Sequence, residues 1–257
     1  MDLKFLKYEK HGEMAQVWIH RPEAMNALNL ELLKEIFSLW EHMENDHISV
    51  ALLSGEGKAF VAGADIAAMS EYDETKALEF TKIGHRTMDK IQNSDIISIA
   101  LVNGFTLGGG LELALACDIR VGTEHSKLGF PEVNLGLIPG FGGTQRLSRL
   151  VGMGKAKELI FTGERINHDE AHKLGILNKI VSPESLWDEG KKMAHTILEK
   201  GPIAVRQAKM ILNTTDHLSI EEGNKKEMKI FASLFGKPES KEGLSAFLEK
   251  RKSNFPK

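Results

Sequence analysis

Three consecutive stretches decide the fold class: Ile96-Ile97-Ser98-Ile99-Ala100-Leu101-Val102, then Asn103-Gly104-Phe105-Thr106-Leu107-Gly108-Gly109-Gly110, then Leu111-Glu112-Leu113-Ala114-Leu115-Ala116-Cys117. The first is a short apolar run and reads as a buried strand. Gly104 ends it, and the last stretch reads as a short helix entered through three glycines. The same strand-to-helix texture extends on both sides. Upstream, Ile48 to Leu53 reads as a strand closed by Ser54-Gly55-Glu56-Gly57, and Phe80, Ile83, Thr87, Met88 and Ile91 put a helix over about 75–92. Further upstream, Gln16-Val17-Trp18-Ile19-His20 reads as a strand and Arg21 to Asn26 as a turn. Asn29 is placed to cap a helix whose apolar face is Leu33, Ile36, Phe37, Trp40 and Met43. Downstream, Ile119-Arg120-Val121 is another strand. This alternation predicts an α/β fold. After Gly142 helical patterns take over, and Gly201-Pro202 is the clearest break. The expected division is residues 1–199 as an α/β core carrying the site and 200–257 as a helical segment.

Composition sets limits on function. With 257 residues the chain can bury a large core without disulfides or metals. Its net charge of -3 argues against a dedicated nucleic-acid binder. The single cysteine, Cys117, allows no internal disulfide and points to a reducing compartment. No apolar run is long enough to span a membrane, and the first residues lack the apolar core of a signal peptide. The expected location is the cytoplasm.

The chemistry concentrates in three segments. Ala62-Gly63-Ala64-Asp65-Ile66 follows the strand ending near Leu53, and its small residues let a ligand approach the backbone; the plainer reading is a turn with Asp65 as a helix cap. Gly108-Gly109-Gly110 exposes backbone N–H groups at a helix start, where the dipole favours negative charge. Its spacing matches neither a phosphate-binding P-loop nor a dinucleotide fingerprint. Glu112 sits in the first turn of that helix among apolar neighbours. Glu132 follows Pro131 in Leu128-Gly129-Phe130-Pro131-Glu132, ahead of the glycine-rich run Pro139-Gly140-Phe141-Gly142-Gly143-Thr144-Gln145. Two glutamates in apolar surroundings suggest paired acid–base work. Two small-residue turns suggest a pair of oxyanion donors. Together they fit a carbonyl compound whose α-carbon gains or loses a proton.

On these segments, and on Arg21-Pro22-Glu23-Ala24-Met25-Asn26-Ala27-Leu28, the sequence resembles the crotonase (enoyl-CoA hydratase/isomerase) superfamily over nearly its whole length. The resemblance implies a crotonase-like spiral of repeated ββα units with a helical C-terminal segment, assembled as a homotrimer or a dimer of trimers. It implies reversible hydration of a trans-2-enoyl-CoA to a 3-hydroxyacyl-CoA. The backbone N–H groups of Ala64 and Gly109 would hold the thioester oxygen, with Glu112 and Glu132 as the acid–base pair. Glu23, Ala24, Met25 and Ala62 would line the coenzyme A site, with Asp65 and Ile66 beside the substrate. No metal or separate cofactor is expected, since coenzyme A belongs to the substrate. Ala67 stands where many hydratases have lysine, and Met25 where leucine is usual. A Δ3-Δ2 enoyl-CoA isomerase is the runner-up; a glycoside hydrolase and an RNA-binding protein are the alternatives from other classes. Residues 237–257 carry six basic side chains against three acidic ones, so Lys250, Arg251 and Lys252 are candidate contacts to coenzyme A phosphates on a neighbouring subunit. Asp118 and Cys117 are expected to be structural.

Overall fold

The computed structural model describes residues 2–215 and 217–256. A six-stranded sheet has the order β1-β2-β3-β5-β7-β10, formed by Leu6–His11, Met14–Ile19, Val50–Gly55, Ile97–Val102, Ile119–Thr123 and Lys179–Val181. A four-stranded sheet has the order β4-β6-β8-β9, formed by Ala59–Val61, Phe105–Leu107, Lys127–Gly129 and Arg165–Asn167. The three middle turns of the spiral each give one long strand to the first sheet and the short strand after it to the second. Thus β3 precedes β4, β5 precedes β6, and β7 precedes β8. A helix then follows: α1 (Leu30–Asn45) after β1–β2, α2 (Ile66–Met69) and α3 (Glu74–Asn93) after β4, α4 (Gly109–Ala116) after β6. The expected ββα spiral is present.

β3 and β5 are buried along their full length because both their faces are covered. Ala51, Leu53, Ala100 and Val102 join the main core with α1, α3 and α4. Val50, Leu52, Ile97, Ile99 and Leu101 face the other way, under Leu186 and Ala194 of α8 (Leu186–Leu198). A Cβ on Gly190 would lie 2.8 Å from Leu101, so glycine sets how closely α8 approaches the sheet. After α8 come α9 (Pro202–Thr215), α10 (Ile220–Leu234) and α11 (Pro238–Leu248). The buried Lys209 ties α9 to the core. It donates to Ile96 O at 2.7 Å and pairs with Asp118 at 2.8 Å, and Asp118 also accepts from Ser98. Asp118 is thus structural, as is Cys117, whose thiol burial pushes up to about 12.

Asn29 does cap α1, accepting from Leu32 N–H at 2.8 Å. The apolar face of α1 differs slightly from expectation. Leu39 is fully buried, whereas Phe37 is half-buried beneath the Arg86 guanidinium at 4.9 Å, where a charged group can cover an aromatic face.

Candidate active site

Two loops that leave neighbouring strands face one cleft. The chain leaves β4 through Ala62 and Gly63, and Ala64 forms an isolated parallel bridge with Leu28. Leu28 N–H donates to Gly63 O and Asp65 N–H donates to Leu28 O, both at 2.8 Å. In such a bridge the residue between the two bonds points its own N–H the other way, so the Ala64 donor faces the cleft. Asp65 secures this turn. It caps α2 through Ala68 N–H and pairs with Arg21 at 3.0 Å, and it is not part of the cleft wall.

β6, the neighbour of β4, leads into the second loop. Gly108 has φ +50°, a conformation that side chains rarely adopt, and a Cβ there would lie 2.7 Å from Glu132 Oε1. Gly109 is the first residue of α4, so its N–H lacks an intrahelical acceptor. A Cβ on Gly110 would sit 2.0 Å from Val61 O, so the third glycine lets α4 close onto β4. Among the described residues, no hydrogen bond uses the N–H of Ala64 or Gly109.

Glu112 is 1% exposed. Its Oε1 accepts the N–H groups of Phe141 and Gly143, each at 2.7 Å. Gly143 opens α5 (Gly143–Val151), so the positive helix end at this carboxylate includes that of a second helix, not only the N-terminus of its own α4. Burial raises the Glu112 pKa; the two N–H donors and the Arg146 guanidinium oppose that rise. Arg146 is fixed by Gln92 at 2.7 Å, Asp89 at 2.8 Å and Phe141 O at 3.0 Å.

Glu132 lies on the short 3-10 turn Pro131–Leu135. Its Oε2 is buried with no partner, an arrangement that is costly unless a ligand supplies one. Burial, and then the charge of Glu112, raise its pKa to about 7. The two carboxyls therefore sit in unlike settings: Glu112 Oε1 is held by donors on a neighbouring loop, whereas Glu132 has only its own backbone as a donor and leaves Oε2 without a partner.

The raised pKa has a stability consequence. A carboxyl whose folded pKa exceeds its unfolded value binds more protons when folded, so stability is lost as pH rises from about 4.5 through about 7. Glu132→Gln removes that loss. We expect the variant to gain on the parent between pH 5 and pH 8, on the order of 1–2 kcal/mol after allowing for solvent access, measured by urea unfolding. A gap independent of pH would show that Glu132 titrates normally.

The cleft has a volume of about 580 Å³. It collects Ala62, Ala64, Ile66, Gly109, Glu112 and Glu132 from the expected set. Glu23, Ala24 and Met25 lie outside its wall; of the three, Met25 is joined to it, its O accepting the Ala62 N–H at 3.0 Å. Lys250, Arg251 and Lys252 do not reach the cleft of their own chain. Arg251 pairs with Glu242 and Glu249, and Lys252 with Glu199. The other wall carries Met69, Tyr72, Phe80, Leu137 and Phe141. Tyr72, Phe80 and Phe141 stack edge to face with centroids 5.6 and 5.1 Å apart. Sequence reading missed the 140–143 loop as the holder of Glu112; its glycine run was the available signal.

A crotonase-type spiral with two backbone donors, one buried carboxyl and one half-buried carboxyl at one cleft defines a class of acyl-thioester proteins. Residues 9–257 match the family described as enoyl-CoA hydratase/isomerase, and the chain belongs to it. It is 46% identical over 249 residues to a crotonyl-CoA hydratase of Syntrophomonas wolfei, covering 96% of each chain. It is 43% identical over 254 residues to a short-chain-enoyl-CoA hydratase of Clostridium acetobutylicum, covering 98% of this chain and 97% of that protein. Among solved structures it resembles an enoyl-CoA hydratase from Bacillus anthracis with a TM-score of 0.94 and 35% identity, over 98% of this chain and 99% of that one.

Proposed function

We propose that this chain adds water reversibly across the double bond of a short trans-2-enoyl-CoA. The observation that carries the mechanism is the unlike pair of carboxyls facing two free N–H donors. The thioester oxygen accepts from Ala64 and Gly109, and the α4 helix end stabilises the enolate charge that develops there. Glu112 serves as the ionised member in this reading: burial raises its pKa on balance, and the two N–H groups on Oε1 and the Arg146 guanidinium are what favour its charged form. Glu112 takes a proton from water as the oxygen bonds to the β-carbon. Glu132, neutral below about pH 7, gives its proton to the α-carbon. Proton exchange between the two carboxyls resets the site. The addition changes no overall oxidation level and its charge rests on hydrogen bonds, so the reading calls for no metal or redox group. Loss of the enoyl-thioester absorbance of crotonyl-CoA tests it. No such loss from the folded protein, or turnover of a nitrophenyl glycoside instead, would overturn it.

Ile220, Met228, Phe231, Leu244, Phe247 and Leu248 are exposed on α10 and α11. Exposed apolar side chains in this number on two helices mark a candidate surface for association. Further copies of the chain covering it support a trimer or dimer of trimers, testable by light scattering. In that assembly Lys250, Arg251 and Lys252 would reach a neighbour's coenzyme A phosphates; Lys257, which shares their charge, lies outside the described residues. Contacts of this kind bind substrate and transition state alike. The triple alanine variant should raise KM for crotonyl-CoA several-fold with kcat little changed. An unchanged KM across a range of salt would leave these residues as surface ion pairs. Among the described residues no helix is long and apolar enough to cross a membrane. With the lone buried cysteine, this supports the cytoplasm as the place of action.

A further inference from the structure

We propose that Thr81 is a positioning residue for Glu112, acting through the Gly140–Phe141 peptide unit. Threonine inside a helix ordinarily returns its hydroxyl to the carbonyl four residues back. Thr87, on the same helix α3, does so, with Ile83 O at 2.9 Å as its nearer acceptor and Leu33 O of α1 at 3.1 Å as the other. Thr81 instead donates out of the helix to Gly140 O. That carbonyl belongs to the peptide unit whose N–H, on Phe141, donates to Glu112 Oε1. A donor at the oxygen end of an amide polarises it and strengthens the donor at its nitrogen end. The second peptide holding Glu112 is treated alike. Gly142 O accepts the N–H groups of Gln145 and Arg146, while the Gly143 N–H of the same unit reaches Glu112. Helix α5 therefore polarises one amide and a single hydroxyl polarises the other. The close seat of the loop has the same origin: a Cβ on Gly84, one turn along from Thr81, would lie 2.1 Å from the Phe141 ring.

Other groups bear on Glu112. Glu132 faces it from the 3-10 turn, Arg146 from α5, with Asp89 paired to that arginine, and His85 of α3 lies near Gly142. None of these groups hydrogen-bonds to Thr81 itself.

The inference rests on Glu112 being the ionised carboxylate of the hydration reaction. Three variants of the full chain, assayed with crotonyl-CoA, separate the two ideas. Thr81→Val keeps the shape and removes the donor; Thr81→Ser keeps the donor; Glu112→Gln tests the underlying reading. We expect Thr81→Val to lose ~10-fold in kcat with KM within about twofold, since one neutral hydrogen bond is at stake. The acidic limb of its kcat/KM profile should move to higher pH, because ionised Glu112 is held less well. Thr81→Ser should restore both. If Thr81→Val melts below assay temperature, Thr81→Ala carries the same expectation. Unchanged kcat and acidic limb in the folded Val or Ala variant, with Glu112→Gln inactive, would overturn the role of Thr81 alone. A rise in KM without movement of the limb would make Thr81 a substrate contact instead. Full activity of Glu112→Gln would overturn the reading beneath it.

Discussion

Glu112→Gln and Glu132→Gln should each lose at least ~1,000-fold in kcat, since general acid–base steps contribute ~10²–10⁴ and the attacking water is also misplaced. Glutamine keeps the size of the side chain, so the fold should survive. The substitutions fail differently. At Glu112, an amide oxygen can still accept from Phe141 and Gly143, but it cannot take a proton from water. At Glu132, the amide can donate a hydrogen bond into the cleft but cannot release a proton to carbon. The double variant should be far less than multiplicatively worse, because the two carboxyls act as a unit in one addition. Solvent deuterium exchange at the α-carbon of a bound acyl thioester assigns the roles. It should persist in Glu112→Gln and vanish in Glu132→Gln. The reverse pattern would exchange the roles, and full hydration by either single variant would remove the two-carboxyl mechanism.

Gly109→Pro should lower turnover at least ~100-fold, because losing one oxyanion donor typically costs ~2.7–4 kcal/mol of transition-state stabilisation. Proline suits this position structurally. Gly109 is the first residue of α4, where a proline ring fits and the helix needs no N–H. Its new Cβ would lie 3.1–3.2 Å from side-chain atoms of Phe141 and Leu28, close enough to demand small adjustments. The comparison variant is Gly109→Ala, which makes the same Cβ contacts and keeps the donor. If proline and alanine are equally impaired, crowding explains the loss; if folded Gly109→Pro turns over normally, Gly109 is not an oxyanion donor.

The long buried strands and amphipathic helices were legible because their patterns are local. β3 and β5 are continuous apolar runs, and α1 announces itself by Asn29 and its periodicity. The second sheet was not, because three-residue strands such as β4, β6 and β8 are too short to show alternation. β1 escaped for another reason: the pattern of Leu6–His11 is dominated by exposed polar residues at the sheet edge. Of the site, the residues that act by side chain could be read as a carboxyl among apolar neighbours. The donors that hold Glu112 could not, since an N–H at Phe141 or Gly143 is common to almost every residue type. Only the tertiary fold brings those groups across 29 and 31 positions to one oxygen.

The pairing of β4 with β6 has a consequence for how such a protein can change. The proposed oxyanion donors, the N–H groups of Ala64 and Gly109, follow adjacent strands, so their separation is inherited from the ~4.8 Å spacing of hydrogen-bonded backbones. No side chain sets it, and mutational drift elsewhere has little purchase on it. Of the opposite wall, Ile66, Met69, Tyr72 and Phe80 lie on α2, on α3 or between them, and Leu137 follows the 3-10 turn that carries Glu132. A library randomised at those five positions should therefore explore acyl length and branching while the reactive centre stays constant. The main chain holds the spacing of the two N–H donors and Glu112 and Glu132 carry the proposed acid–base work, while the side chains of the opposite wall remain free to choose the substrate.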